Sequence, residues 1–389
     1  MIDLDAVRAD TPGCRNVLHF NNAGASLMPT PVFEAVQSHL ESERDLGGYE
    51  AARLAKDQQQ SFYTEFASLL NVQPSEIAYV ENATRAWDMA FYALPLKEGD
   101  RIITHASEYA SNYLAFLHLA GRRGVEIDIA PSDKTGQIDV KAMDRMIRKG
   151  TRAIAITHVP TQGGLVNPAE AVGEVAGRHG LIYLLDACQS AGQMQVDARK
   201  IGCHVLSGTG RKFLRGPRGT GFLFVDSGLA DTLDPPFVDL HAATWTGKDT
   251  FELAPGARRF ENFESNVAGR IGLARAVRYA RGLGMDAIES RVTELAASLR
   301  GALGSVSGVT LHDLGERKCG IVTFSMDGRP SPDVAAWLAE RSINVSVSAV
   351  EHAQLDLGAR QTGPLVRASV HYFNTENEIE RFVAAIAEM

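Results

Sequence analysis

The sequence predicts an α/β protein with a mostly parallel sheet, helices on both faces, and a smaller α+β unit towards the C-terminus. Three observations carry this expectation. Between about residues 75 and 225, short apolar runs alternate with longer amphipathic stretches, the order of repeated strand and helix units. Several of the runs are apolar at consecutive positions, as strands covered on both faces should be. After about residue 260 the pattern changes to long helical spacings followed by short strand-like runs.

Taken in order, helical spacing predicts helices near residues 30 to 45 and 57 to 71. The strand candidates are "EIAYVEN", "RIITHAS", "VEIDIAP", "AIAITHV", "LIYLLDA", "HVLSG" and "GFLFV". Between them lie "TRAWDMAFYALPL", "IDVKAMDRMIRKG" and "NPAEAVGEVAGRHG", the last two closed by a glycine of the kind that stops helices. Beyond residue 260, "VAGRIGLARAVRYARGLG" and "MDAIESRVTELAASLRGAL" read as helices and "GIVTFSM" and "INVSVSA" as strands. "TENEIERFVAAIAEM" reads as a closing helix. The expected organisation is an N-terminal segment over 1–30, a large domain over 31–260 and a small C-terminal domain over 261–389.

Composition narrows the function. The chain has 389 residues, 45% hydrophobic and 22% charged, as a globular enzyme would. Net charge is -8 and the Lys and Arg residues are scattered, which argues against a nucleic-acid partner. The start, "MIDLDAVRAD", is acidic, and no apolar stretch approaches the roughly 18 residues of a membrane span. Cys14, Cys188, Cys203 and Cys319 show no CxxC spacing and no accompanying histidine cluster, so no metal site or disulfide framework is expected. Reduced thiols in the cytoplasm are the simplest expectation.

In open α/β sheets the ligand lies beyond the carboxyl ends of strands, so polar residues after the apolar runs are the candidates. "VENATRAWDM" passes into a helix at Ala83, Thr84 and Arg85, where free amides favour an anion; Thr84 reads equally as a helix cap. "THVPTQGGLVNP" brings His158, Thr161 and Gln162, or is simply a loop. In "LIYLLDACQSAGQ", Asp186 ends an apolar run and Gln189 follows one short turn later. A carboxylate there is desolvated, so a cationic partner is expected.

"SGTGRKFLRGPRGTGFLFV" places Lys212 after Ser207 and Thr209, among glycines that would let the backbone approach a ligand. The stretch lacks the order of a nucleotide P-loop, and "GPRGTG" precedes a strand rather than a helix. Lysine, buried aspartate, hydroxyls and a helix start together suit pyridoxal phosphate. The lysine would carry the aldehyde, Asp186 would keep the pyridine nitrogen protonated, and amides with hydroxyls would take the phosphate.

At these residues the chain resembles the class V aminotransferase family of fold-type I pyridoxal-phosphate enzymes, which contains cysteine desulfurases, isopenicillin N epimerase and carbon–sulfur lyases. "HFNNAGASLMP", "ATRAW", "THVPTQGGLVNP", "DACQSAGQ" and the Lys212 stretch carry the likeness over nearly the whole length. The resemblance implies Lys212 as the Schiff-base lysine, Asp186 as partner of the pyridine nitrogen and Gln189 as donor to the ring hydroxyl oxygen. It places Ala83, Thr84, Thr209 and Arg211 at the phosphate. On the substrate side it places Asn22, Thr161 and Arg367, the last gripping the α-carboxylate. Tyr109 stands where many relatives stack a histidine on the ring. A homodimer is also implied, with Asn262, Glu264, Ser265 or Asn266 as candidates to cross between subunits.

Family desulfurases carry a nucleophilic cysteine shortly before that arginine, whereas no cysteine follows Cys319 here. The expectation drawn from this is β-elimination by a carbon–sulfur lyase acting on a cysteine conjugate or sulfoxide, without a persulfide cysteine. An aminotransferase or epimerase is the alternative, and a non-catalytic binding protein the remote one.

Overall fold

The structure, a computed structural model, describes residues 2–389. Its main sheet has seven strands, in the order Ile77–Val80, Gly221–Val225, Val205–Thr209, Ile182–Asp186, Thr151–Thr157, Arg101–His105 and Glu126–Ala130. Every pairing is parallel except the two made by Gly221–Val225, which runs against both neighbours.

The consecutive apolar positions are explained by what each face meets. Ile103, Ile154, Leu185 and Phe222 enter one core with Phe62 and Phe66 of helix Lys56–Leu70 and Leu273 of helix Val267–Leu283. Their chain neighbours Ile102, Ala153, Leu184 and Leu223 enter a second core with Trp87 and Phe91 of helix Ala83–Phe91. Each large side chain so buried contributes about 1.5–3 kcal/mol. A one-residue slip would exchange the faces of a whole strand, so packing holds the register that aligns the strand ends.

A four-stranded antiparallel sheet follows, in the order Val309–Leu311, Ile321–Met326, Leu365–Ser369 and Ser346–Ser348. Val322, Phe324 and Val366 pack there against Leu299 of helix Met285–Gly304 and Phe382 of helix Glu376–Ala387. The N-terminal segment ties this sheet to the main one. Leu18–His19 pairs with Ile343–Asn344, Asn21 bridges to Ser369, and the Ser26 amide donates to the Arg211 carbonyl.

One predicted helix is shorter than its pattern. The helix expected over 138–150 spans Val140–Met146, because the β-branched Ile147 turns to an extended conformation, and Gly150 instead serves the next turn at φ 94°. Elements beyond the predicted set include helices Gly48–Leu54, Ala110–Arg123 and Ser331–Glu340 and a hairpin of Ala243–Gly247 with Thr250–Leu253. Among the described residues no helix is long and apolar enough to cross a membrane, and no cluster of metal-ligating side chains occurs.

Candidate active site

The carboxyl ends of the central strands open into a cavity of about 290 Å³. Asp186, Thr157 and Thr209 reach it as the last residues of their strands, and Ala83 and Thr84 as the first residues of helix Ala83–Phe91. Tyr109, Thr161, Gln189, Arg211 and Lys212 complete the wall.

The helix start is built for an anion. Asn82 caps it by accepting the Arg85 amide at 2.9 Å, and the first amides have no intrahelical acceptor. Glycine brings this turn against the sheet. A Cβ on Gly221 would lie 2.8 Å from the Asn82 carbonyl carbon, and one on Gly208 would enter the Phe222 ring. These glycines, read as room for a ligand, make room for the protein's own backbone and rings.

Asp186 is 3% exposed. Its Oδ1 accepts the Cys188 amide at 2.8 Å, and its Oδ2 accepts Asn112 Nδ2 at 2.9 Å. The expected cationic partner is absent at ion-pair distance among the described residues, and two N–H donors stand in its place. Lys212 faces the same cavity, its Nζ 5.9 Å from the centre of the Tyr109 ring. Burial holds the Lys212 ammonium below the ordinary lysine value; Arg211 and Arg367 act in the same direction, while Cys188 and Asp186 oppose it. A lysine so placed loses its proton more readily, as a nucleophile or base must. Cys188 lines the wall, but burial pushes its thiol well above the usual range, which removes thiolate character.

Opposite these groups, Thr161 Oγ1 accepts from Gln189 Nε2 at 2.9 Å and from Arg367 Nη1 at 2.6 Å. Gln189 Oε1 and Arg367 Nε remain buried without a partner among the described residues. Arg367 stands behind Thr161, and burial, reinforced by Arg211, lowers its pKa to about 10. Arg211 Nη1 donates to the Gly24 carbonyl at 2.6 Å, and Thr209 Oγ1 donates to the Thr220 carbonyl at 3.3 Å. Asn22 lies outside the cavity wall. It is fully buried, donating to the Ser369 carbonyl at 2.8 Å and accepting from Ser26 Oγ at 2.6 Å.

Sequence reasoning missed Glu108 and Asn112. Glu108, 4% exposed, accepts from Asn112 Nδ2 and from the Tyr109 amide, each at 2.9 Å, and from Thr157 Oγ1. The only signal was a charged residue beside Tyr109 in the loop after an apolar run. Of the interface candidates, Asn262 donates to Glu81 Oε1 at 3.0 Å and Asn266 caps helix Val267–Leu283.

The donor set fits pyridoxal phosphate. Orphaned buried polar atoms call for a missing partner. Here they surround a lysine with a lowered pKa, a fixed carboxylate and a helix start, which match an aldehyde, a ring nitrogen and a phosphate.

Comparison with known proteins bears directly on this site. The family model for aminotransferase class-V matches residues 18–382, so the chain belongs to that family, whose enzymes depend on pyridoxal phosphate. A protein of Methanothermobacter thermautotrophicus named a probable cysteine desulfurase is 28% identical over 390 residues, covering 98% of this chain and 97% of its own. Another so named, from Xylella fastidiosa, is 30% identical over 417 residues, covering 100% and 95%. The apo structure of a cysteine desulfurase from Thermococcus onnurineus superimposes with a TM-score of 0.93 at 28% identity, over 100% of this chain and 98% of its own.

These findings overturn the expected reaction. Many of the relatives that match over nearly their full length are named as cysteine desulfurases, which contradicts a β-eliminating lyase working without a persulfide cysteine, and they give the aminotransferase and epimerase alternatives no better support. The physical reason is that lysine, aspartate and arginine serve every reaction of this cofactor alike. A desulfurase-like framework with that cysteine missing is therefore too little to select one of them.

Proposed function

We propose that this class V aminotransferase family member is a pyridoxal-phosphate enzyme of the desulfurase type, cleaving the Cβ–Sγ bond of cysteine or a close analogue. The observation that carries the reading is the convergence of Lys212, Asp186 and Gln189 on one cavity, with Arg367 bonded to Thr161 of its wall, in a chain whose full-length relatives are named probable cysteine desulfurases. When bound, pyridoxal phosphate supplies an electron sink for the substrate Cα.

The protein's own side chains bind and orient, and an external thiol acceptor takes the sulfur. Ala83, Thr84, Thr209 and Arg211 would hold the phosphate end, and Tyr109 would face the ring. Asp186, whose two oxygens are oriented by Cys188 N and Asn112 Nδ2, would keep a proton at the ring nitrogen. Gln189 would meet the ring oxygen. Arg367 takes the substrate α-carboxylate through the guanidinium edge that the protein leaves unpaired. So oriented, the substrate presents its Cα proton to Lys212 Nζ, which burial has made a competent base.

The reading extends to a homodimer in the cytoplasm. Trp245, 74% exposed, pairs with the exposed Phe251 on the hairpin, and Leu240, 77% exposed, precedes it; these apolar side chains are suited to a second copy, and all four cysteines are unpaired. Sedimentation of the purified protein as a single copy would remove the dimer.

The test of the reaction is purified protein with pyridoxal phosphate, cysteine and excess dithiothreitol as acceptor thiol. Desulfuration replaces sulfur at Cβ by hydrogen, so alanine and sulfide should form in equal amounts. Pyruvate and ammonia without alanine would sink the reading.

A further inference from the structure

Glu108 and Asp186 are two buried carboxyls that share one amide. Asn112 Nδ2 gives one hydrogen to Glu108 Oε1 and the other to Asp186 Oδ2, both at 2.9 Å. Glu108 Oε1 also accepts from the Tyr109 amide and from Thr157 Oγ1, while Oε2 accepts from Thr104 Oγ1 at 3.2 Å. One side chain thus ties together the backbone of Tyr109, the end of the Thr151–Thr157 strand and, through Asn112, the Asp186 carboxylate of the cavity wall. A core carboxyl is costly to bury, and an apolar residue would fill the same space at less cost.

We propose that Glu108 is a positioning residue for the cofactor: through Asn112 it fixes the orientation of Asp186 and sets how firmly that carboxylate holds the proton of the ring nitrogen. The surroundings leave this route open. Asp186 is a charged side chain that acts on Glu108, and the hydrogen-bond partners of Glu108, namely Thr104, Thr157 and Asn112, are uncharged. His105, on the adjoining strand end, is turned to Ser107 Oγ and Ser132 Oγ. Burial, reinforced by Asp186 and opposed by the Thr157 and Asn112 hydrogen bonds, pushes the Glu108 carboxyl up to about 7. Above that pH Glu108 adds a negative charge behind Asp186, which favours protons on the cofactor side; below it the charge is lost.

The proposal rests on the bound cofactor and not on the sulfur chemistry, so its test contains no substrate. The visible absorbance of the protein loaded with pyridoxal phosphate is titrated with pH for the wild type, Glu108→Gln, Asn112→Ala and the double variant. Glutamine keeps Oε1 as acceptor and can donate from Nε2 to Thr104, so it changes charge while largely keeping shape. The expected result is a midpoint lowered by roughly half a unit or more in Glu108→Gln. A smaller further shift is expected when Asn112 is already gone, as coupled residues require. A Glu108→Gln titration that superimposes on the wild type would overturn the proposal, whether or not Asn112→Ala shifts. If Glu108→Gln does not fold, Glu108→Asp decides, since it keeps the charge but draws the carboxyl back from Asn112; a titration that superimposes on the wild type then overturns the proposal. A wild type that takes up no pyridoxal phosphate overturns both this proposal and the function above, whereas a loaded enzyme that fails to desulfurate cysteine removes only the latter.

Discussion

Arg215 and Arg367 are both buried, at 1% and 8% exposed, and neither has an acid within ion-pair distance among the described residues. Arg215 uses every nitrogen: Nε donates to the Leu27 carbonyl at 2.8 Å, Nη1 to Tyr372 Oη at 2.8 Å and Nη2 to Thr11 Oγ1 at 2.6 Å. Its guanidinium also lies 4.5 Å from the Phe373 ring centre. Arg367 uses only Nη1, on Thr161, and keeps Nε buried without an acceptor. The difference separates a cation that completes a structure from one that awaits a ligand. Full satisfaction stabilises, whereas an unmade bond is a cost that a bound carboxylate would relieve.

The sharpest way to break this contrast is to remove the Arg367 guanidinium. For Arg367→Leu we expect kcat/KM for the amino-acid substrate to fall by about 30- to several thousand-fold, the range for losing one partner of a buried charge pair. The melting temperature should hold or rise, because a buried, incompletely paired cation disappears. Steady-state kinetics with a thermal melt checks both, and a marked loss of stability with unchanged kcat/KM would place Arg367 in the structural class.

Arg215→Met should do the reverse. It leaves Thr11, Tyr372 and the Leu27 carbonyl without their donor, each worth about 1–3 kcal/mol when buried. Urea unfolding should therefore show a loss of a few kcal/mol, with kcat/KM of the folded fraction changed only severalfold. A variant as stable as the wild type would end the comparison from the other side.

The smallest effect concerns pH. In the protein without cofactor, burial depresses the Lys212 pKa below the ordinary lysine value of 10.5, so between its folded pKa and that value the unfolded chain binds more protons. Stability contributed at this site therefore rises with pH across that window and levels off above 10.5. Lys212→Met should flatten the pH dependence of unfolding measured towards the alkaline end of the window. Parallel curves for the two proteins would mean that Lys212 is not desolvated.

Much of the fold was legible because burial on both faces writes itself into consecutive apolar residues. Ile102 with Ile103, and Leu184 with Leu185, announce two cores at once. Lys212, Asp186 and Gln189 were legible for a related reason, since a charged or amide group straight after such a run has few places to go except the strand ends. The hairpin at 243–253 was not legible, because its strands are largely exposed and carry no periodic apolar face. The reaction was misread because the cofactor residues are common to several chemistries.

By itself, the sequence determined the α/β class, the cofactor and the family, since apolar periodicity and short motifs are local and survive reading along a line. Tertiary structure alone decided the relations between distant residues. It set Arg367 behind Thr161, moved Asn22 behind the cavity wall and joined Glu108 to Asp186 through Asn112. It also divided the arginines of "RKFLRGPRG": Arg211 and Arg218 line the cavity, while Arg215 is locked in the core. Whether a buried polar group is satisfied depends on partners contributed by other segments, and hydrogen bonds span only about 3 Å. Such partners become visible only when the chain has folded.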